Sequence, residues 1–342
     1  MKKILALLFI LLAAACTNAP NQYVQIDGIA QGGNYAVKMN MKDVHVPLQT
    51  IQDSIAALLH QIDTTLSGYN KKSVLSRFNA GEKVRSNSMF LEVYRIGYRL
   101  WERSGGALDF AAAPLYDAWG FGFRSSSFPT DEDIKDLLAR CGMGHLPSEL
   151  PVTDGYIDPA AMGYPQLNYN AIAQGYSCDI IAQYLYSIGV KDMLVDIGEI
   201  WCDGLNPSGK PWTVGVDRPV EHSGEDDGSF ALSGVWQSDG RPSGIVTSGN
   251  YRKFFVRDGR KYAHTINPRS GYPVEHNLLS ATVVSNTSAA DSDAIATWCM
   301  VVGLQSAQVL ILGDPNLEGY LIYTDSNGEM KEWASPGFNL VD

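Results

Sequence analysis

Apolar and polar positions change period several times along the chain, and each change predicts an element. Residues 25–40 alternate as a strand does, with breaks at Gly28, Gly32 and Gly33. Over 48–66 the residues Ile51, Ile55, Leu58, Leu59 and Ile62 recur at three- and four-residue spacing, which predicts an amphipathic helix. Residues 88–104 predict a second helix, stopped by Gly105 and Gly106. A third spans 130–141 and opens on a capping box made by Thr130 and Asp133. A fourth covers 172–188 and ends at Gly189. Strand-length apolar runs follow at 193–197, 212–216, 244–247 and 279–284, with a hairpin over 252–262 turning at Asp258-Gly259. Residues 290–302 predict a helix, and 320–323 with 329–333 a closing hairpin. The Ser-, Gly- and Asp-rich segment 221–242 reads as a loop excursion. Strands and helices alternate irregularly and nothing repeats. The expectation is a mixed α/β fold of the α+β kind, in one large domain over residues 25–342.

The N-terminus changes this picture by removing its first segment from the fold. Lys2 and Lys3 precede an unbroken apolar run over 4–15. That run is shorter than the roughly 20 residues needed to cross a bilayer, so residues 1–15 read as a secretory signal peptide. Three alanines then lead into Cys16 and a polar stretch. This order suits lipoprotein processing, with Cys16 acylated and residues 16–24 forming a tether. Plain cleavage after an alanine is the alternative. The protein is thus expected to be an exported, membrane-anchored lipoprotein facing the periplasm or cell exterior. Composition adds that 45% hydrophobic and 18% charged residues can bury a real core. Net charge is −11, with no basic run, which argues against nucleic acid as a partner. Cys141, Cys178, Cys202 and Cys299 are far apart and form no CxxC pair, so they suggest neither a zinc site nor a defined disulfide pattern.

Two constellations carry candidate chemistry. Asp293 and Thr297 are four apart in the helix predicted over 290–302, so they share a face. A carboxylate and a hydroxyl one turn apart can both bind a hard cation such as Mg²⁺. They equally suit an acidic helix start with a threonine bonded back to its own turn. His264 leaves the predicted hairpin just before a turn marked by Asn267-Pro268 and Ser270-Gly271. A histidine so held can take a proton from an attacking hydroxyl, or can be structural. Glycine-rich junctions at 28–33, 105–106, 120–122, 198 and 249 could admit a ligand close to the backbone, or simply turn the chain. No Walker loop, GxGxxG, GxSxG or HExxH motif is present.

A series of short stretches, taken in order, goes further. They are GIAQGGNY at 28–35, IDTTLSGY at 62–69, SVLSRFN at 73–79, SGGALD at 104–109 and WGFG at 119–122. NYNAIAQGY at 168–176, VDIGEI at 195–200, TSGNY at 247–251, HTINP at 264–268 and DAIAT at 293–297 complete the series. In content and order the chain resembles the ApbE family of FAD:protein FMN transferases, from about Gly28 to Phe338. The resemblance implies a T-fold-like architecture, FAD as substrate and Mg²⁺ on its pyrophosphate. It implies metal ligation by the Ala171 carbonyl, the Asp293 carboxylate and the Thr297 hydroxyl. The implied flavin contacts are Gln31, Tyr69, Ala107, Leu108, Asp109, Asn168, Gln174 and Ile266, and the implied base is His264. The implied reaction places FMN through a phosphoester on a Thr or Ser hydroxyl of an acceptor, such as a subunit of a membrane redox complex, and releases AMP. Water in place of that hydroxyl would make the chain an FAD pyrophosphatase, and loss of chemistry would leave an FAD-binding lipoprotein. Some positions depart from the family pattern. Gly32-Gly33-Asn34 replaces Gly-Thr-Thr, Asn168 and Asn267 replace Asp, Gln174 replaces Lys, and only one glycine precedes Glu199.

Overall fold

The computed structural model describes residues 22–123, 128–219, 231–250, 254–257 and 260–341, with backbone alone over 254–257 and 260–262. The predicted signal peptide, Cys16 and the turn at Asp258-Gly259 lie outside the described residues. The helices are α1 (Leu48–Leu66), α2 (Val74–Asn79), α3 (Ser88–Ser104), α4 (Ala113–Ala118), α5 (Asp131–Leu138), α6 (Ala173–Ser187), α7 (Ala289–Val302) and α8 (Leu304–Leu312).

The fold is mixed α/β, as expected, and is built on one eight-stranded antiparallel sheet. Its strands in spatial order are Tyr23–Ala30, Gly33–Asn40, Met193–Asp196, Ile200–Asp203, Ser243–Gly249, Leu278–Ser285, Leu317–Thr324 and Met330–Ala334. Alternation decides which residues face which side. Met193 and Val195 point into the main core, against Ile51, Ile55, Ile181 and Leu185 of the helices. Leu194 and Cys202 point the other way, against Trp212 and against Trp236 of a three-stranded sheet made by Leu340–Val341, Leu232–Gln237 and Thr213–Asp217. Each such aliphatic side chain taken from water contributes roughly 1.5–3 kcal/mol, so both faces are firmly covered.

The predicted strand over 25–40 is a hairpin. Gln31 and Gly32 turn it with φ of 51° and 84°. Gly28 does not break the strand. It sits opposite Tyr35, whose ring would lie 2.5 Å from any Cβ placed there. The predicted loop over 221–242 contains the strand Leu232–Gln237, which supplies Trp236 to the second core. The strand Ile200–Asp203 and helix α8 were not foreseen.

Helix α7 organises the centre. It packs on α6 and on the strands Ser243–Gly249 and Leu278–Ser285. Ala289, Ala290, Ala294, Ile295, Ala296, Cys299 and Met300 are all buried, so it is apolar nearly all round. Ser292 and Asp293 are buried there too, and Asp293, an ionisable group with only 5% of its surface exposed, calls for a partner.

Candidate functional site

A cleft of about 1040 Å³ lies between α4, α6, α7 and the ends of the central strands. Its deep end is polar. Asp293 and Thr297 both line it from α7, and Ala171 and Gln174 line it from the start of α6. The Gly175 N–H donates to Asp293 Oδ2 at 3.1 Å, while Oδ1 takes no hydrogen bond among the described residues. Burial pushes this carboxyl up to about 7 and the charge of Asp179 adds to the effect, against the pull of the Gly175 N–H. Thr297 Oγ1 lies 3.3 Å from Ser248 Oγ. Gln174 Nε2 donates to the Ile197 carbonyl at 3.4 Å, directly beside Gly198. A Cβ at Gly198 would lie 2.6 Å from that amide, and its φ of 86° also favours glycine.

Sequence reasoning passed over Glu199 as a site residue. It lines the cleft, where desolvation and the neighbouring Asp293 charge drive its carboxyl well above the usual range. The available signal was an acid standing between two buried strands. Two carboxyls facing one cleft are costly to ionise together, and a divalent cation relieves that cost. Among the described residues no three His, Cys, Asp or Glu side chains form a metal-holding group. One carboxylate, one hydroxyl and a carbonyl suit Mg²⁺, which keeps waters and takes phosphate oxygens to complete its shell. The donor set therefore fits that ion.

The outer part of the cleft is aromatic. Tyr69 is 67% exposed at its mouth, held edge-on by Phe123 at 5.1 Å between ring centres and by Asn170 Nδ2, which donates to its hydroxyl at 3.3 Å. The Phe123 N–H in turn donates to Asp117 Oδ1 at 2.7 Å, which folds the 120–123 segment over α4. Leu108, Asp109, Asn168 and Ile266 also line the cleft. Asp109 serves the backbone, with Oδ1 accepting from the N–H groups of Ala111 and Met143, each at 2.9 Å. Burial raises its carboxyl to about 6 in spite of those bonds. Asn168 Oδ1 accepts the Asn170 N–H at 2.9 Å. Ala107 is buried and is not among the lining residues, and neither is Gln31. Gln31 reaches from its hairpin turn to donate to Ser177 Oγ, one turn beyond Gln174 on α6.

His264 lines the same cleft, following the strand Arg260–Ala263, with its ring 6.3 Å from that of Phe121. The loop after it is tied down at four points. Thr265 Oγ1 donates to Asn250 Oδ1 at 2.6 Å, and Trp119 Nε1 donates to the Gly271 carbonyl at 2.8 Å. Arg269 Nε donates to the Gly105 carbonyl at 2.9 Å, and Tyr272 Oη donates to Asp131 at 2.6 Å. A second cavity of about 620 Å³, near Arg140 and His145, holds none of the predicted site residues.

Residues 31–321 match the model of the ApbE family. A FAD:protein FMN transferase of Vibrio cholerae is 31% identical over 98% of this chain and 97% of its own length. The flavin transferase ApbE structure from Vibrio cholerae superimposes with a TM-score of 0.75 at 29% identity, over 92% of this chain and 98% of that one. The apo flavinyl transferase ApbE of Pseudomonas stutzeri gives 0.76 at 30% identity, over 92% and 95%. Fold, cleft and these likenesses define an enzyme of the transferase class. The chain belongs to the ApbE family.

Proposed function

We propose that this protein is a Mg²⁺-dependent FAD:protein FMN transferase, acting on a Thr or Ser hydroxyl of an exported or membrane acceptor and releasing AMP. The observation that carries the reading is that one cleft gathers Asp293, Thr297, Ala171, Tyr69 and His264 from distant parts of the chain. In this reading Tyr69 lays its exposed ring against a ring of the dinucleotide. Asp293, Thr297 and the Ala171 carbonyl would hold Mg²⁺, which when bound draws charge from the pyrophosphate. The Gly175 N–H fixes one Asp293 oxygen and so orients the other. His264 takes the proton from the acceptor hydroxyl as its oxygen bonds to the FMN phosphorus. The bond from that phosphorus to the bridging oxygen breaks, and its electron pair leaves with AMP. Residues 1–15 as signal peptide, Cys16 as the acylated residue, residues 16–24 as tether and residues 25–342 as the transferase domain complete the proposal.

The test is co-expression with an exported acceptor domain bearing a candidate threonine, followed by mass spectrometry and HPLC with FAD and Mg²⁺. The expected result is an acceptor heavier by the FMN phosphoryl adduct together with stoichiometric AMP. AMP with free FMN and no adduct would make the enzyme a pyrophosphatase. FAD bound without AMP release would make it a binding protein, and either result sinks the transferase reading.

A further inference from the structure

The first turn of α7 carries Ala289 and Ala290, small side chains that interlock little, and polar contacts help to fix its place along the sheet. Asp179, one turn beyond Gly175 on α6, supplies them. Its Oδ1 accepts the Ala289 N–H at 2.8 Å. Its Oδ2 accepts the Ala290 N–H at 3.0 Å and the Ser288 hydroxyl at 2.8 Å. The two N–H groups are among the unpaired donors at the start of a helix, where a negative charge is also favoured by the helix dipole. Ser288, the N-cap, accepts the Asp291 N–H at 3.0 Å. From the far side Ser292 Oγ donates to the Gly244 carbonyl at 2.9 Å. Asp179 does not line the cleft, so beyond the charge it sets near Asp293 it can position the site only through α7. Along a helix rising 1.5 Å per residue, Asp293 stands about 6 Å and Thr297 about 12 Å beyond the gripped turn.

We propose that Asp179 is a positioning residue for the metal end of the cleft: by capping α7 from α6 it keeps Asp293 and Thr297 in register with Ala171. The proposal rests on the Mg²⁺ reading given above. Three purified variants, titrated with Mn²⁺ alone by electron paramagnetic resonance and melted without metal, test it. Asp179→Asn loses the charge, while Asp179→Glu keeps the charge but moves the carboxylate by one methylene. Asn87→Ala is the control, since Asn87 caps α3 through the N–H groups of Met89 and Phe90, and α3 carries none of the predicted metal or flavin positions. Both Asp179 variants are expected to weaken Mn²⁺ binding tenfold or more, and Asn87→Ala to leave it unchanged at a similar loss of Tm. Wild-type Mn²⁺ affinity in Asp179→Glu, or an equal loss in Asn87→Ala, overturns the proposal. Should Asp179→Asn fail to fold, Ser288→Ala removes one of the three bonds together with the N-cap bond from the Asp291 N–H, and a several-fold loss of affinity is then expected. No change in that variant overturns the proposal as well. If the wild type binds no Mn²⁺, or Asp293→Ala binds it normally, the metal reading falls and takes this proposal with it.

Discussion

Replacing Gly175 by alanine places one methyl group where α6 meets the first turn of α7. An ideal Cβ at Gly175 lies 2.3 Å from the Ala289 carbonyl oxygen and 2.8 Å from the Ala290 Cα. Ordinary Cβ contacts begin at 3.4 Å, so α7 must retreat by about 1 Å. The obstructing atoms are backbone and cannot rotate aside. Overpacking of this kind costs about 1–3 kcal/mol. In domains of 150–250 residues each kcal/mol lowers Tm by about 2–4 °C, so a fall of several degrees is expected. The displacement also pulls the Gly175 N–H from Asp293 Oδ2, and about 1 Å of misplacement at a reacting centre can cost on the order of 10²-fold in rate. Initial rates of AMP release from FAD at saturating Mg²⁺, with differential scanning calorimetry on the same samples, measure both effects. Gly33→Ala is the control, because nothing stands within 4 Å of its Cβ. A Gly175→Ala enzyme with wild-type rate and Tm would refute the expectation that α7 packs too closely on Gly175 to admit a methyl group.

Three further outcomes are expected. His264→Asn should bind FAD about as well as the wild type while flavin transfer falls by about 10²–10⁴-fold, read by equilibrium dialysis and single-turnover kinetics; parallel loss of binding and rate would mark the histidine as structural. Asp109, raised to about 6 by burial, binds more protons folded than unfolded between pH ~4 and ~6, so its contribution to stability falls as pH rises through that window and is flat above it. Asp109→Asn should therefore gain Tm relative to wild type between pH 4 and 6.5, and a constant difference across that range contradicts the assignment. Cys16→Ala should release the protein from the membrane fraction or stall its processing, and unchanged partitioning would end the lipoprotein reading.

How much of this was legible beforehand depended on whether the deciding interaction was local. Helices α1 and α3 were read to the residue because their apolar spacing is regular and α3 stops at Gly105, which adopts φ 56°. The Thr130–Asp133 capping box is present in both directions. The pairing of Asp293 with Thr297 followed from helical spacing, and both line the cleft. The strand Leu232–Gln237 escaped because Ser233 and Gly234 break its apolar pattern, and its stability comes from Trp236 packing on a distant sheet. Asp179 looked like any polar residue on a helix. Its bonds to α7 span about 110 positions of sequence, and no pattern within either helix announces them.

The four anchors on the loop after His264 lead to one more consequence. Ile266 packs with Ala112, Leu115, Trp119 and Ile134 in a small apolar cluster of its own. Asp293 and Thr297 ride instead on α7, which is embedded in the two larger cores. The proposed proton acceptor and the proposed metal donors thus stand on differently packed elements, which meet where α7 packs on the short strand Ile266–Asn267. Trimming Leu115 or Ile134 would loosen the smaller cluster and leave every proposed reacting group chemically intact. Such an enzyme would read in a kinetic assay as a damaged active site, with the fault lying in packing residues that do not line the cleft.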